Sequence, residues 1–179
     1  MNAQDRLELI RPGVAGTVWA DLGAGSGAFT LALAELLGPE GKIYAVDKDA
    51  RGLKPLASPQ IEPVQADFSG ALELPLLDGI LMANSLHYVR DQVALLIKLQ
   101  GHLRPAGRLL VVEYENRRPS RWVPYPVSFA RFGDLAVQAG FSRPERIGVK
   151  PSDFGGSIYA ALTKGFPSGK NPPLERSSR

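Results

Sequence analysis

The sequence predicts one α/β domain built on a doubly wound, mostly parallel seven-stranded sheet with an antiparallel hairpin at its C-terminal edge. Three observations carry this. Short apolar runs alternate with amphipathic stretches, as β-α units require. A glycine-rich turn, residues 23–27, joins the first apolar run to the first amphipathic stretch. The last two runs, 143–150 and 157–163, read as neighbouring strands. A length of 179 residues suits one domain with a real core.

Residues 17–22 form the first strand. A helix over 29–37 stops at Gly38 and Pro39, where glycine suits a left-handed cap. Residues 42–46 are the second strand, ending at Asp47. A short helix over 50–57 leads to a third strand, 61–65, ending near Asp67. The next link, 68–76, is short and proline-bounded, so its helix shrinks to a turn. Residues 78–83 are the fourth strand. Asp91 caps a helix running to about Leu103. Pro105, Ala106 and Gly107 turn the chain into a fifth strand, 108–114. Residues 115–127 are a loop rich in arginine, proline and aromatics, and 128–139 a helix followed by Gly140. The domain spans residues 1–164, and 165–179 are expected to be a disordered tail.

Composition bounds the function. The hydrophobic fraction, 44%, is ordinary for a globular protein, and no apolar run approaches the roughly 20 residues a membrane span needs. The first ten residues carry Asp5, Arg6 and Glu8 and have no apolar core, so no signal peptide is expected and the expected location is cytoplasmic. There are no cysteines, which removes disulfides, thiolate metal sites and cysteine nucleophiles. Two histidines, His87 and His102, are too few for a typical zinc site, and no metal is expected. The net charge is +3. Lys170, Arg176 and Arg179 in the tail outweigh Glu175, which leaves the rest near neutral, so a nucleic-acid partner is not expected.

The glycine turn admits two ligands. Gly23, Gly25 and Ala28 fit the dinucleotide spacing, with Asp47 about 20 residues on. Asp21 argues against that reading, because a carboxylate two residues before the first glycine would repel a pyrophosphate. The same carboxylate suits a cationic ligand. The segment Asp21-Leu22-Gly23-Ala24-Gly25-Ser26-Gly27 resembles the first motif of the class I S-adenosylmethionine-dependent methyltransferases, and the resemblance runs from about Thr17 to Tyr114.

That resemblance implies a Rossmann-like methyltransferase fold with S-adenosyl-L-methionine as cofactor. Asp21, Gly23, Ala24, Gly25 and Gly27 would take its amino-acid end. Asp47 would bind both ribose hydroxyls, with Lys48 near the adenine. Asp67 would accept from the adenine amino group and Phe68 would pack on the ring. Asn84, followed by Ser85, would lie beneath the methionine moiety.

Methyl transfer from a sulfonium is an in-line displacement, so alignment matters most and a base is needed only for protonated nucleophiles. In open α/β sheets ligands sit beyond the carboxyl ends of the strands. His87, Tyr88, Glu113 and Tyr114 occupy such ends and are the candidates to face the methyl. His87 is the first choice of base, with Tyr88 beside it, because imidazole titrates near neutrality. Without cysteine, cytosine C5 methylation is excluded. The Asn/Asp-Pro-Pro-aromatic motif of amino-group methylation is replaced by Asn84-Ser85-Leu86-His87. Arg117, Arg118 and Arg121 would attract an acidic acceptor, Trp122 and Tyr125 would add apolar surface, and a short N-terminal helix with Leu7, Leu9 and Ile10 would close over the cofactor.

The leading expectation is a methyltransferase acting on a small-molecule acceptor. Its rivals are a non-catalytic S-adenosylmethionine-binding module or subunit and a nicotinamide-dependent oxidoreductase. The oligomeric state stays open.

Overall fold

The computed structural model describes residues 1–165; the expected tail from 166 on lies outside the described residues. The chain runs through helix α1 (Ala3–Ile10), strand β1 (Val18–Leu22), helix α2 (Ala28–Leu37), strand β2 (Lys42–Asp47), helix α3 (Ala50–Leu53), strand β3 (Ile61–Gln65) and strand β4 (Leu77–Ala83). Helix α4 (Gln92–Gln100), strand β5 (Leu103–Tyr114), helix α5 (Phe129–Gln138), strand β6 (Glu145–Pro151) and strand β7 (Ser157–Lys164) complete it. The sheet order is β3-β2-β1-β4-β5-β7-β6. β1 to β5 pair in parallel, while β7 is antiparallel to both β5 and β6. The doubly wound sheet and its antiparallel edge therefore stand as the sequence predicts.

Strand alternation builds one core on each face. Ala20, Leu22, Ile80, Met82, Leu109, Val111, Tyr159 and Ala161 point toward α4 and α5. Trp19, Leu81, Leu110, Val112, Ile158 and Ala160 point to the opposite layer, which α1, α2 and α3 cover. Local signals set most boundaries. Asp91 caps α4 by accepting from Ala94 N–H, and the Ser128 side chain caps α5 by accepting from Arg131 N–H. α4 ends at Gln100, three residues short of expectation, and the expected helix over 50–57 is one turn of α-helix followed by a 3-10 turn at Lys54–Leu56.

One departure has a physical cause. β5 begins at Leu103, because the turn expected over 105–107 is an outward excursion within the strand: Leu77 pairs with Leu103, then Gly79 with Arg108. Ala106 takes φ +64° there. α1 packs Leu7, Leu9 and Ile10 into the core beside α2 and β6, and reaches the crevice at the strand ends through Arg6.

Asp78 ties the entry side of the sheet together. Its Oδ2 accepts from Thr17 and Val18 N–H, each at 2.9 Å, and its Oδ1 accepts from Arg104 at 2.8 Å. Burial pushes this carboxyl up, but Arg104 and the two amide donors outweigh it and hold the pKa below the ordinary value.

Gly79 makes room for the largest core side chain. A Cβ there would lie 2.4 Å from the Trp19 ring, and Trp19 is fully buried with its indole N–H donating to Ala15 O at 3.0 Å. Gly79→Ala should therefore destabilise the fold by about 1–3 kcal/mol through overpacking. Urea unfolding at neutral pH measures this, and an unchanged midpoint would remove the packing argument.

Candidate functional site

The sheet reverses its winding between β1 and β4, and the chain leaves both strands on the same side. Such a switch point opens a crevice at the carboxyl ends of the strands. Gly23 and Ala24 N–H donate to Val46 O at 2.8 and 3.0 Å, folding the turn over β2. Ser85 Oγ donates to Leu22 O at 2.6 Å, locking the β4 exit against the β1 exit. Gly23 sits at φ +81°, and a Cβ would meet the Ser85 Cβ at 2.5 Å, so only glycine fits this crossing.

Three connected clefts meet there. The first, of about 520 Å³, is lined by Gly23, Asp47, Lys48, Asp67, Phe68 and Asn84, with Ser85 and Tyr88. The second, of about 300 Å³, is lined by Asp21, Gly23, Ala24, Gly25 and Asn84, with Arg6 and Phe154. The third, of about 920 Å³, is lined by Asn84, His87, Tyr88, Tyr114, Arg117 and Arg118, with Trp122 and Phe154. Asn84 borders all three. It holds φ +54°, a left-handed conformation that asparagine tolerates better than most residues.

The acids divide by environment. Asp47 Oδ2 accepts from Gly25 N–H at 2.8 Å and Oδ1 from Asp49 N–H at 2.9 Å, which fixes the carboxylate and leaves one acceptor site on each oxygen. Asp67 Oδ1 takes the Ser69 hydroxyl and N–H, and these bonds, the hydroxyl first, lower its pKa. Its Oδ2 makes no hydrogen bond among the described residues. Asp21 is buried, and its Oδ2 accepts from Thr30 Oγ1 at 2.6 Å while Oδ1 has no partner among the described residues. Burial pushes its pKa up to about 6; Thr30 opposes this and the Asp47 charge adds to it. Asn84 Oδ1 is a second buried acceptor without a partner among the described residues. Two unmatched acceptors bordering one small cleft fit a cationic donor and oppose a pyrophosphate.

At the third cleft the structure brings together a pair that the sequence offers as separate candidates. His87 Nδ1 lies 2.7 Å from Glu113 Oε2, and His87 N–H donates to Glu113 Oε1 at 3.1 Å. Both side chains are buried, so Glu113 lies behind the imidazole and does not face the acceptor space as expected. The ring orders neighbours on both sides: its centroid is 4.4 Å from Tyr88 and 6.0 Å from Tyr114. Burial raises the Tyr114 pKa above that of a free phenol, so it stays a neutral hydroxyl at this wall.

Several expected residues sit elsewhere. Gly27 is buried against Leu56 and lines none of the three clefts. Arg121 stacks over Trp122 at 4.7 Å and does not line the third cleft, nor does Tyr125, whose backbone N–H donates to His87 O. Arg117 does line it, but its guanidinium is held over the Tyr114 ring at 4.9 Å and donates to Phe154 O and, at 3.3 Å, to Gly155 O. Phe154, the Ser85 clasp and Thr30 were missed. So was Lys98, whose ammonium donates to Phe68 O at 2.8 Å and also to Gly70 O. It holds the segment carrying Asp67 from a helix 30 residues away, so no local signal in the sequence marks it.

The Asp21 environment has a sign that can be tested. Its pKa in the folded protein exceeds the ordinary 3.8, so the fold is favoured at low pH and loses this contribution as pH rises through about 6. Asp21→Asn should therefore raise the stability of the unliganded protein above pH 6, by up to about 3 kcal/mol, and flatten its pH dependence between 4 and 6. Urea unfolding at pH 5 and pH 7.5 checks this; equal shifts at both values would contradict it.

Comparison with known proteins agrees with this geometry. The chain is 34% identical over 122 residues to a ubiquinone/menaquinone biosynthesis C-methyltransferase of Hahella chejuensis, covering 62% of this chain and 49% of that protein. It is 28% identical over 157 residues to ribosomal RNA large subunit methyltransferase E of Chromobacterium violaceum, covering 76% and 72%. The chain thus spans about half the length of the first relative and under three quarters of the second. The fold matches the 1,6-didemethyltoxoflavin-N1-methyltransferase of Burkholderia thailandensis, solved with its acceptor and S-adenosylhomocysteine, with a TM-score of 0.73 at 20% identity over 92% of this chain and 77% of that one. Residues 20–109 match the family described as a methyltransferase domain, and with the fold and the unmatched acceptors at its glycine turn, the chain belongs to the S-adenosylmethionine-dependent methyltransferase family.

Proposed function

We propose that this chain transfers a methyl group from S-adenosylmethionine to a small-molecule acceptor. The observation that carries the reading is the pair of buried, unmatched acceptors, Asp21 Oδ1 and Asn84 Oδ1, on residues bordering the same cleft behind the glycine turn. An ammonium group, with three donors and a positive charge, would suit both. Asp21, Gly23, Ala24, Gly25 and Asn84 would hold the amino-acid end. Asp47 would hold the ribose, with Lys48 near the adenine, and Asp67 and Phe68 would hold the adenine. When bound, S-adenosylmethionine supplies a methyl on a positive sulfur, and the electron pair of the broken carbon–sulfur bond stays on that sulfur.

The chain's own contribution is alignment and proton handling. The Glu113 carboxylate beside Nδ1 favours the Nδ1–H tautomer of His87 and fixes the ring's orientation. Nε2 is then the acceptor, on a ring that lines the large cleft, and makes no hydrogen bond among the described residues. A proton leaving an acceptor hydroxyl or amine would pass to that nitrogen. Tyr88 would serve as a wall of the acceptor space. The relative from Hahella, named for quinone biosynthesis, supports a small acceptor, and the near-neutral charge outside the tail makes RNA the weaker reading. The buried His87–Glu113 pair beside so large a cleft favours an enzyme over a non-catalytic binding subunit.

S-adenosylhomocysteine should bind and raise the melting temperature, since a ligand of the native state stabilises it, and NAD should not. Asp47→Ala should weaken S-adenosylhomocysteine by about 2–4 kcal/mol with the fold retained. Calorimetry decides both points, and tight NAD binding without a response to S-adenosylhomocysteine would overturn the reading.

In turnover, His87→Ala should lower kcat by about 10²–10⁴ with S-adenosylhomocysteine affinity kept within about twofold. Glu113→Gln should lower kcat by less, because it acts through the ring. Both deficits should narrow as pH rises and the acceptor ionises unaided. A pH-independent deficit would make the pair structural.

A further inference from the structure

We propose that the acceptor cleft takes a planar aromatic compound bearing a carboxylate, with its ring among Tyr88, Tyr114, Trp122 and Phe154 and its carboxylate on Arg118. The proposal rests on the methyltransferase reading and names the acceptor class for the same site.

Three properties of the 920 Å³ cleft point there. Its lining carries four aromatic side chains, and three of them, Tyr88, Trp122 and Phe154, are 54%, 67% and 74% exposed. Large exposed aromatics gathered around one hollow favour a flat apolar ligand, which gains offset or edge-on ring contacts as well as burial. The lining also contains no carboxylate, whereas it does contain Arg117 and Arg118. The two arginines differ. Arg117 is spent on Phe154 O, Gly155 O and the Tyr114 face, so it braces the wall between the β5–α5 loop and the β6–β7 hairpin tip. Arg118 is exposed and has no ion pair or hydrogen bond among the described residues. Its guanidinium is therefore the cation available for a bidentate carboxylate contact.

A polynucleotide is a poorer fit. Phosphate tracking needs a dense basic face. Here Arg121 stacks on Trp122 outside the cleft, and the acid Asp153 lies beside Phe154 near the rim. One cation free among the described lining residues of an aromatic hollow matches one carboxylate on one ring.

The test uses the full chain loaded with S-adenosylhomocysteine and calorimetric titration of 2-, 3- and 4-hydroxybenzoate, 3,4-dihydroxybenzoate and 4-hydroxycinnamate, each beside its methyl ester. At least one acid should bind saturably and its ester should bind about tenfold more weakly. Arg118→Ala should cost the acid a similar factor and leave the ester unchanged. Arg143→Ala, exposed and lining none of the three clefts, should leave both unchanged, and S-adenosylhomocysteine affinity should hold in every variant. Absence of saturable binding by every acid overturns the proposal, as does an ester that binds as well as its acid or an Arg118→Ala variant that discriminates like the parent. Displacement of a bound acid by a short RNA hairpin, with loss of that competition in Arg118→Ala, would make the cleft an RNA site and also overturn it. If S-adenosylhomocysteine binds and no acid does, only this inference falls; if S-adenosylhomocysteine does not bind, the methyltransferase reading itself falls.

Discussion

The parallel pairing of β1 with β4 is the constraint from which the site follows. These strands belong to different halves of the winding, so no connecting helix crosses over their shared end, and a crevice opens there. Holding that crevice open requires the two exits to approach closely without a side chain between them. Gly23 provides the missing Cβ, and the Ser85 hydroxyl, on Leu22 O at 2.6 Å, clasps the exits together. Trp19 against Gly79 fixes the same strand pair from within the core. The three clefts share Asn84 because β4 ends at this crossing.

Charge is distributed around the crevice by burial. Asp47 and Asp67 are accessible and held in place by backbone or hydroxyl donors, which leaves carboxylate oxygens turned to polar groups in the cleft. Asp21 is deeply buried with one oxygen unmatched, and the protein bears an electrostatic cost that a cationic ligand would relieve. His87 and Glu113 are buried too but satisfy each other, which turns two isolated liabilities into an oriented pair. A site whose unliganded form keeps a strained, unmatched carboxylate trades stability for affinity.

The wall of the large cleft is made by segments far apart in sequence. Arg117 carries the β5–α5 loop to the backbone at 154–155, and the Gln92 side-chain amide donates to Tyr125 O at 3.0 Å, pinning the far end of the same loop to α4. Tyr159 OH donates to Val127 O at 2.9 Å and anchors its exit. The loop lacks regular structure, yet these ties fix it as a wall.

The sequence by itself determined the strand and helix order, the parallel sheet with its antiparallel edge, the glycine turn and the placement of Asp21, Asp47, Asp67 and Asn84 at strand ends. These were legible because they rest on local patterns: alternation, caps, glycine spacing and the strand-end position of acids. Tertiary structure alone decided which side chains meet. It moved Glu113 behind His87, removed Gly27 and Arg121 from the clefts, committed Arg117 to a carbonyl bridge and brought in Lys98, Thr30 and Phe154. Apart from Arg121, which stacks on its neighbour Trp122, these depend on contacts across 9 to 38 residues of chain or between distant strands. No periodicity encodes such contacts, because a side chain's partner is set by the packing of whole elements and not by its neighbours in sequence.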